Sequence, residues 1–347
     1  MKFVEITSSE IWDAFHTRHA WSQFTQSWAW GEFRRATGCK IRRMALIDPS
    51  GQWLLAAQFE YRAKRVFGGF WFSPRGPVFS DSIGNEAKLE AMRVMRQELS
   101  AAHFPCLSAG TARSLFIRVE PVSELGKPEG LPVLPFLRNK PRNPSSTVLV
   151  DLERSREEIQ SAMKQKTRYN IRVADRHGIT TRVATHPSDV TAFLDLHEKT
   201  AARDRFTAQD RNYLADLYKN FEPKGLARIR LAERGEILLA GSMEILYGRT
   251  ATYLHGASSS EGKNLMAPYA LHWDAIMHAK RDGSLIYDFW GVNPASKAAF
   301  AYKDSWEGIS RFKLGWGGRL VDLVGTWDFP IHPIRYFIAF PRQWWNS

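Results

Sequence analysis

The chain has 347 residues, too many for one ordinary hydrophobic core, so two domains are expected. Forty-eight Lys and Arg against 36 Asp and Glu give a net charge of +12, which suits anionic partners such as nucleic acid, phosphorylated metabolites or an anionic membrane face. Cys39 and Cys106 lie far apart, which excludes a disulfide framework and a CxxC zinc site, and no window nears the roughly 18 apolar residues of a membrane span.

"MKFVEITSSEIWDAF" at the N-terminus lacks the apolar core of a signal peptide, so a soluble or peripheral protein is expected, and the sparse cysteines fit a reducing cytoplasm. Helical patterns follow near 8–19 and 27–37. "RRMALID" and the run after Gly51 then read as a hairpin, with a helix in "GNEAKLEAMRVMRQELSAAH" and a strand in "LFIRVEP" behind it. Residues 126–146 hold five prolines and mark a domain boundary. Beyond it "TVLVDL" alternates as a strand, and Ser155 with Glu158 has the capping-box spacing of a helix that starts at Arg156 and stops at Gly178. A helix in "PSDVTAFLDLHEKTAAR" precedes a second hairpin, in which "GEILLAGS" at 235–242 repeats "GQWLLAAQ" at 51–58. Strand "RTATYLHGAS", helix "APYALHWDAIMHAKRDG" and strand "LIYDFWG" complete the series. Matching flanks around the repeat predict a duplicated α/β unit with mixed layers.

Three constellations suit chemistry. In "QSWAWGEFRRATG", 26–38, Trp28 and Trp30 anchor a helix presenting Arg34 and Arg35, whose forks match phosphate oxygens. "MKQKTRYNIRVADR", 163–176, places five basic residues and one acid in fourteen positions. Lys164, Arg168, Arg172 and Arg176 form a stripe opposite Ile159, Met163, Asn170, Ile171 and Ala174, with Tyr169 beside it as a stacking ring. A solvated face and a phosphate-binding face both fit. In "RFKLGWGG", 311–318, three glycines would let backbone approach a ligand near Lys313. That lysine either rests its stem on apolar neighbours or stabilises charge in a transition state. No metal motif, GxSxG elbow or Walker loop occurs, and "SSEGKNLMAP" is a poor backbone cradle for a coenzyme A pyrophosphate.

"QSWAWGEFRR", "FSPRGPVF", "SAMKQKTRYNIRVADRHGI", "YLHGASSSEGKNLMAPYALHWDAI", "YDFWGV" and "RFKLGWGG" together resemble the Fem family of peptidoglycan bridge-forming aminoacyltransferases, over residues 23 to about 320. The resemblance implies two tandem domains similar to the GCN5-related acetyltransferase fold. The first would span 1–146 plus 320–347 and bind the acceptor, and the second would span 147–319. It implies transfer from aminoacyl-tRNA to the stem peptide of UDP-MurNAc-pentapeptide or lipid II, without a cofactor. Phe312 and Lys313 match the family's catalytic pair. Arg34, four after Trp30, matches a basic residue that contacts the diphosphate, and Arg35 and Thr207 are further acceptor-side candidates. Glu120 stands where the family has Asp. Tyr213 matches a tyrosine preceded four positions earlier by an arginine, here Gln209, with Arg211 nearby, so the diphosphate clamp is expected to be rearranged. Tyr253 is a cleft candidate, and the basic stripe is assigned to tRNA phosphate. The coiled-coil arm of some members has no counterpart, which resembles the shorter members.

The protein is expected to act as a monomer, at or near the inner face of the membrane. An acyltransferase using another activated donor, and a non-catalytic RNA-binding or envelope-associated scaffold, are the competing readings. The aromatic "PIRYFIAFPRQWW" either packs in the first domain, the preferred reading, or touches the membrane.

Overall fold

The computed structural model describes residues 1–64, 68–100, 114–124, 137–204, 209–297, 299, 301–331 and 333–340. Its elements come in two runs. The first holds β1 (Lys2–Glu5), α1 (Ser9–Thr17), α2 (Trp28–Ala36), β2 (Lys40–Ile47), β3 (Trp53–Lys64), β4 (Gly68–Ser73), β5 (Val78–Phe79), α3 (Asn85–Ser100), β6 (Ser114–Val119) and β7 (Leu137–Asn139). The second holds β8 (Ser146–Asp151), α4 (Arg156–Ala162), α5 (Gln165–Arg176), β9 (Thr180–Val183), α6 (Pro187–Asp204), α7 (Arg211–Phe221), β10 (Ala227–Arg234), β11 (Ile237–Tyr247), β12 (Thr250–Ser258), α8 (Ala267–Arg281), β13 (Ile286–Gly291), α9 (Glu307–Leu314) and β14 (Arg319–Asp322). The chain then returns to the first sheet as β15 (Thr326–Pro330) and ends in α10 (Pro333–Ala339).

The first sheet runs β1-β2-β3-β4-β6-β15-β7 with β5 on β3, and the second β9-β10-β11-β12-β13-β8-β14. The two correspond strand for strand. Each unit opens with a strand and two helices, continues through three antiparallel strands and a helix, and ends on a strand parallel to the third. This repeat bears out the mixed α/β layers and the duplicated unit. The repeated octapeptides are the hairpin turns, and their shared glycines have φ of +88° at Gly51 and +60° at Gly235. A Cβ is disfavoured in that left-handed region, so glycine recurs at both turns.

One expectation is overturned. The helix drawn from Arg156 to Gly178 is two helices. The Ser155–Glu158 capping box does start α4, but Met163 and Lys164 adopt extended backbone with ψ of 150° and 145°. Met163 is drawn into the core, and the Lys164 N–H donates to the Gly315 carbonyl at 2.9 Å. A Cβ at Gly317 would overlap the Ala162 carbonyl, and one at Gly318 would crowd Val148. Those glycines therefore admit the chain's own backbone where a ligand was expected. The helix pair equivalent to α1 and α2 is α6 and α7, and α4–α5 is an addition before β9.

The units are joined by more than the chain crossings. Trp21 Nε1 donates to Asp288 at 2.9 Å, the Ser22 N–H to Thr250 Oγ1 at 2.8 Å, and the Tyr247 hydroxyl to Asp13 at 2.7 Å. Phe24, Trp30 and Phe33 share one core with Leu214, Phe221 and Met243 of the second unit. β15 is held by Arg118, whose guanidinium donates to Asp328 at 2.6 and 2.7 Å, with Tyr336 of α10 donating at 2.8 Å. Tyr336 packs among Phe70, Phe72 and Phe116, while Ile334 and Ile338 are 78% and 62% exposed. Among the described residues, no helix is long and apolar enough to cross a membrane.

Candidate active site

β12 and β13 run parallel from the Thr250–Ile286 pair to the Thr252–Asp288 pair, then part. Past that point β13 stays with β8 on its other side, resuming at the Gly291–Thr147 pair after an irregularity, and β12 follows β11 through a bulge. Parallel strands that separate at their carboxyl ends leave a crevice suited to a ligand. α9 delivers Lys313 into this opening. Its Nζ donates to the Gly291 carbonyl at 2.9 Å and lies 5.1 Å from the Tyr253 ring centroid. Lys313 is 7% exposed, and among the described residues no carboxylate pairs with it. Burial pushes its ammonium down from 10.5 to about 7, with the Asp288 charge acting in the opposite sense.

The surrounding groups keep this lysine the principal charge of the crevice. The His272 ring stands perpendicular to Tyr253 at 4.4 Å, with Nδ1 3.3 Å from the Tyr287 hydroxyl. Burial, with the Lys313 and Arg230 charges adding to it, holds His272 at about 3. His255 is likewise held at about 3 by burial, with His197 and Lys313 adding to the effect. The half-buried Tyr253 folds its hydroxyl over Gly256, where a Cβ would overlap it, and burial raises its phenol. Phe312 stacks edge-on to Tyr269 at 5.2 Å and lies 5.3 Å from His272, which seats α9. Phe312, Lys313 and Tyr253 thus meet in one crevice.

A second cluster lies at the seam between the units. Arg34 Nε donates to Glu60 at 3.1 Å, and fully buried Glu60 also accepts from Trp30 Nε1 at 2.8 Å and Arg62 at 3.1 Å. Two guanidinium groups on one carboxylate leave surplus positive charge. Tyr213 of α7 lays its ring 5.3 Å from Phe33, and burial pushes its phenol up to about 12. Arg34 and Tyr213 are therefore brought together from opposite units. Arg35 turns away and pairs with Glu32 at 2.9 Å. Gln209 is exposed beside Asp210, the N-cap of α7. Arg211 is committed to Asp195 at 2.7 Å and Glu198 at 3.0 Å, and Thr207 lies outside the described residues. Glu120 is buried at the start of the interdomain connection. Its carboxylate accepts from the backbone N–H groups of Arg142 and Asn143, from the Asn143 amide and from Thr326, which ties the interdomain connection to β15.

Of the basic stripe, Lys164, Arg172 and Arg176 are exposed on or beside α5. Arg168 instead donates to the carbonyls of Ser161, at 3.1 Å, and Met163, closing the end of α4. Tyr169 is 52% exposed with Arg176 over its ring at 6.0 Å. Two residues escaped sequence reasoning. Arg62 shares a strand face with Glu60 at two-residue spacing, a charged pair in a strand that carried the signal. Asp288, an acid amid the apolar run "LIYDFWG", is 1% exposed and was visible as a charge needing partners.

Comparison with known proteins finds that the model of the FemAB family matches residues 139–235 and 226–340. The lipid II:glycine glycyltransferase of Staphylococcus saprophyticus subsp. saprophyticus is 21% identical over 403 residues, covering 94% of this chain and 92% of that protein. Its namesake from Staphylococcus epidermidis is 21% identical over 414 residues, covering 98% and 95%. In three dimensions the chain is similar to the crystal structure of FemX, with a TM-score of 0.78 at 20% identity over 97% of this chain and 100% of that one.

Proposed function

The chain belongs to the FemAB family, and from that premise we propose that it is an aminoacyltransferase. It moves an aminoacyl group from aminoacyl-tRNA to the stem peptide of a peptidoglycan precursor and so builds the interpeptide bridge. The stem-peptide amine attacks the ester carbonyl, the bond to the ribose oxygen breaks, an amide forms, and the proton lost by the amine ends on the freed ribose hydroxyl. The names of the relatives make lipid II the first acceptor and glycine the first amino acid to test, with UDP-MurNAc-pentapeptide as the alternative acceptor.

The observation that carries this reading is Lys313, a buried cation that among the described residues has no carboxylate partner, held in the opening between β12 and β13. A cation already desolvated there stabilises negative charge on the ester oxygen as the amine adds, without waiting for solvent to reorganise. Tyr253 flanks it and Phe312 anchors it. Arg34 and Arg62, sharing Glu60, hold the precursor's diphosphate with Tyr213 as a neutral donor. Arg62 then fills the place that Gln209 leaves vacant. Residues 1–146 with the C-terminal segment from 320 bind the acceptor, and residues 147–319 bind the donor. Lys164, Arg172 and Arg176 contact tRNA phosphates, which position the donor without reading it. The protein works as a monomer at the inner face of the membrane, with Ile334, Arg335 and Ile338 toward the lipid.

The test offers purified protein a mixture of labelled aminoacyl-tRNAs with either lipid II or UDP-MurNAc-pentapeptide, and follows label into the precursor. Label in one precursor identifies acceptor and amino acid together. No transfer to either would sink the proposal.

A further inference from the structure

A buried carboxylate lies three residues before the Gly291 carbonyl that receives Lys313. Asp288, buried on β13, accepts the Trp290 N–H at 2.7 Å and the Trp21 indole N–H of the first unit at 2.9 Å. The Thr147 hydroxyl lies within bonding distance of both the Asp288 carboxylate and the Trp290 carbonyl. Trp290 has φ of +55°, a left-handed backbone that a bulky residue adopts only when its surroundings hold it there. Arg75 clamps its ring at 4.5 Å and Phe24 lies 5.4 Å from it, both from the first unit. The next carbonyl in the chain is that of Gly291, the acceptor for Lys313 Nζ.

We propose that Asp288 is a positioning residue for Lys313: it fixes the left-handed turn at Trp290, which aims the Gly291 carbonyl, and it sets a negative charge behind the ammonium. Through Trp21 the same carboxylate makes the lysine's position depend on how the first unit is docked. This rests on Lys313 being the catalytic cation. Among the described residues, the charged and titratable groups that face Lys313 are Tyr253 and His255 from β12, His272 from α8 and Asp288 from β13. The two histidines, at about 3, do not titrate near neutrality. Asp288 is therefore the group whose removal changes the lysine's protonation there.

The test is the pH profile of kcat/KM for Asp288→Asn and Trp21→Phe beside Lys313→Met, with circular dichroism to monitor folding. Lys313 must be charged to act, so activity falls as pH rises through its titration. Asp288→Asn lowers kcat about tenfold or more, leaves KM within about twofold, and moves the basic limb to lower pH by about half a unit or more. Trp21→Phe keeps the charge, so it lowers kcat about threefold and leaves the limb in place. A folded Asp288→Asn protein with an unmoved limb and a rate within about twofold of wild type would overturn the proposal. Should Asp288→Asn not fold, a Trp21→Phe protein with undiminished kcat overturns it, and one with reduced kcat and an unmoved limb upholds it. Full turnover by Lys313→Met would instead remove the catalytic reading itself. An inactive Lys313→Met beside a normal Asp288→Asn condemns only the positioning role.

Discussion

Replacing Lys313 with Met removes the ammonium and keeps most of the stem, so packing against Tyr253 and Gly291 changes little. A fall from 10.5 to about 7, at ~1.4 kcal/mol per pH unit, means that the site, burial offset in part by the Asp288 charge, disfavours the charged form by a net ~5 kcal/mol. Nothing in folding requires so costly a cation, and its replacement is expected to leave stability equal or higher at neutral pH. The sign with pH is definite. The folded value lies below the unfolded one, so between about pH 7 and 10.5 the unfolded chain holds the extra proton and wild-type stability rises with pH. Lys313→Met loses that rise. Turnover behaves oppositely: losing the charge that meets the developing oxyanion costs ~100- to 1000-fold in kcat. Single-turnover transfer and thermal melts across pH read both quantities. A variant that melts several degrees lower, or that keeps its rate within about threefold, would refute the reasoning.

Arg62→Ala should raise KM for the precursor about tenfold while leaving the aminoacyl-tRNA KM nearly unchanged, because it removes one fork from a diphosphate. Arg172→Glu with Arg176→Glu should weaken tRNA use at moderate salt and flatten its salt dependence, as steady-state kinetics at several salt concentrations will read. Arg168→Ala should instead lower the melting temperature, since the carbonyls closing α4 lose their donor at a cost of ~1–2 kcal/mol. Gly256→Ala should displace the Tyr253 ring and cut kcat with folding retained, checked by transfer rate and circular dichroism. Ile334→Ser with Ile338→Ser should reduce flotation with anionic liposomes and leave the melt unchanged, since both side chains are exposed.

Much of this was legible in the chain because the signals were local. The capping box at Ser155, the paired glycines of the two hairpins and the flanks of the repeated octapeptides each depend on residues a few positions apart. The full seven-strand correspondence was not, because β7, β14 and β15 are only 3, 4 and 5 residues long and pair with strands far away in sequence. The break at Met163 escaped for the same reason: its cause, the pressure of residues 315–318, lies some 150 positions downstream. In the site, Lys313 and Arg34 stood out as cations beside rings. Arg168 has the same residue type and helical spacing as Arg172, and only the folded chain separates the carbonyl cap from the exposed side chain. Glu120 was an acid at a family position, and its four donors come from the interdomain connection and β15, which no spacing rule joins.

The most direct test of the central claim is mass spectrometry of lipid II after incubation with this protein and glycyl-tRNA, beside the same reaction with tRNA deacylated beforehand. Transfer through the Lys313 crevice predicts a gain of one glycine residue or more on the stem peptide, present only with charged tRNA and abolished by Lys313→Met. A glycine adduct that persists in Lys313→Met, or that forms equally with deacylated tRNA and free glycine, would contradict it.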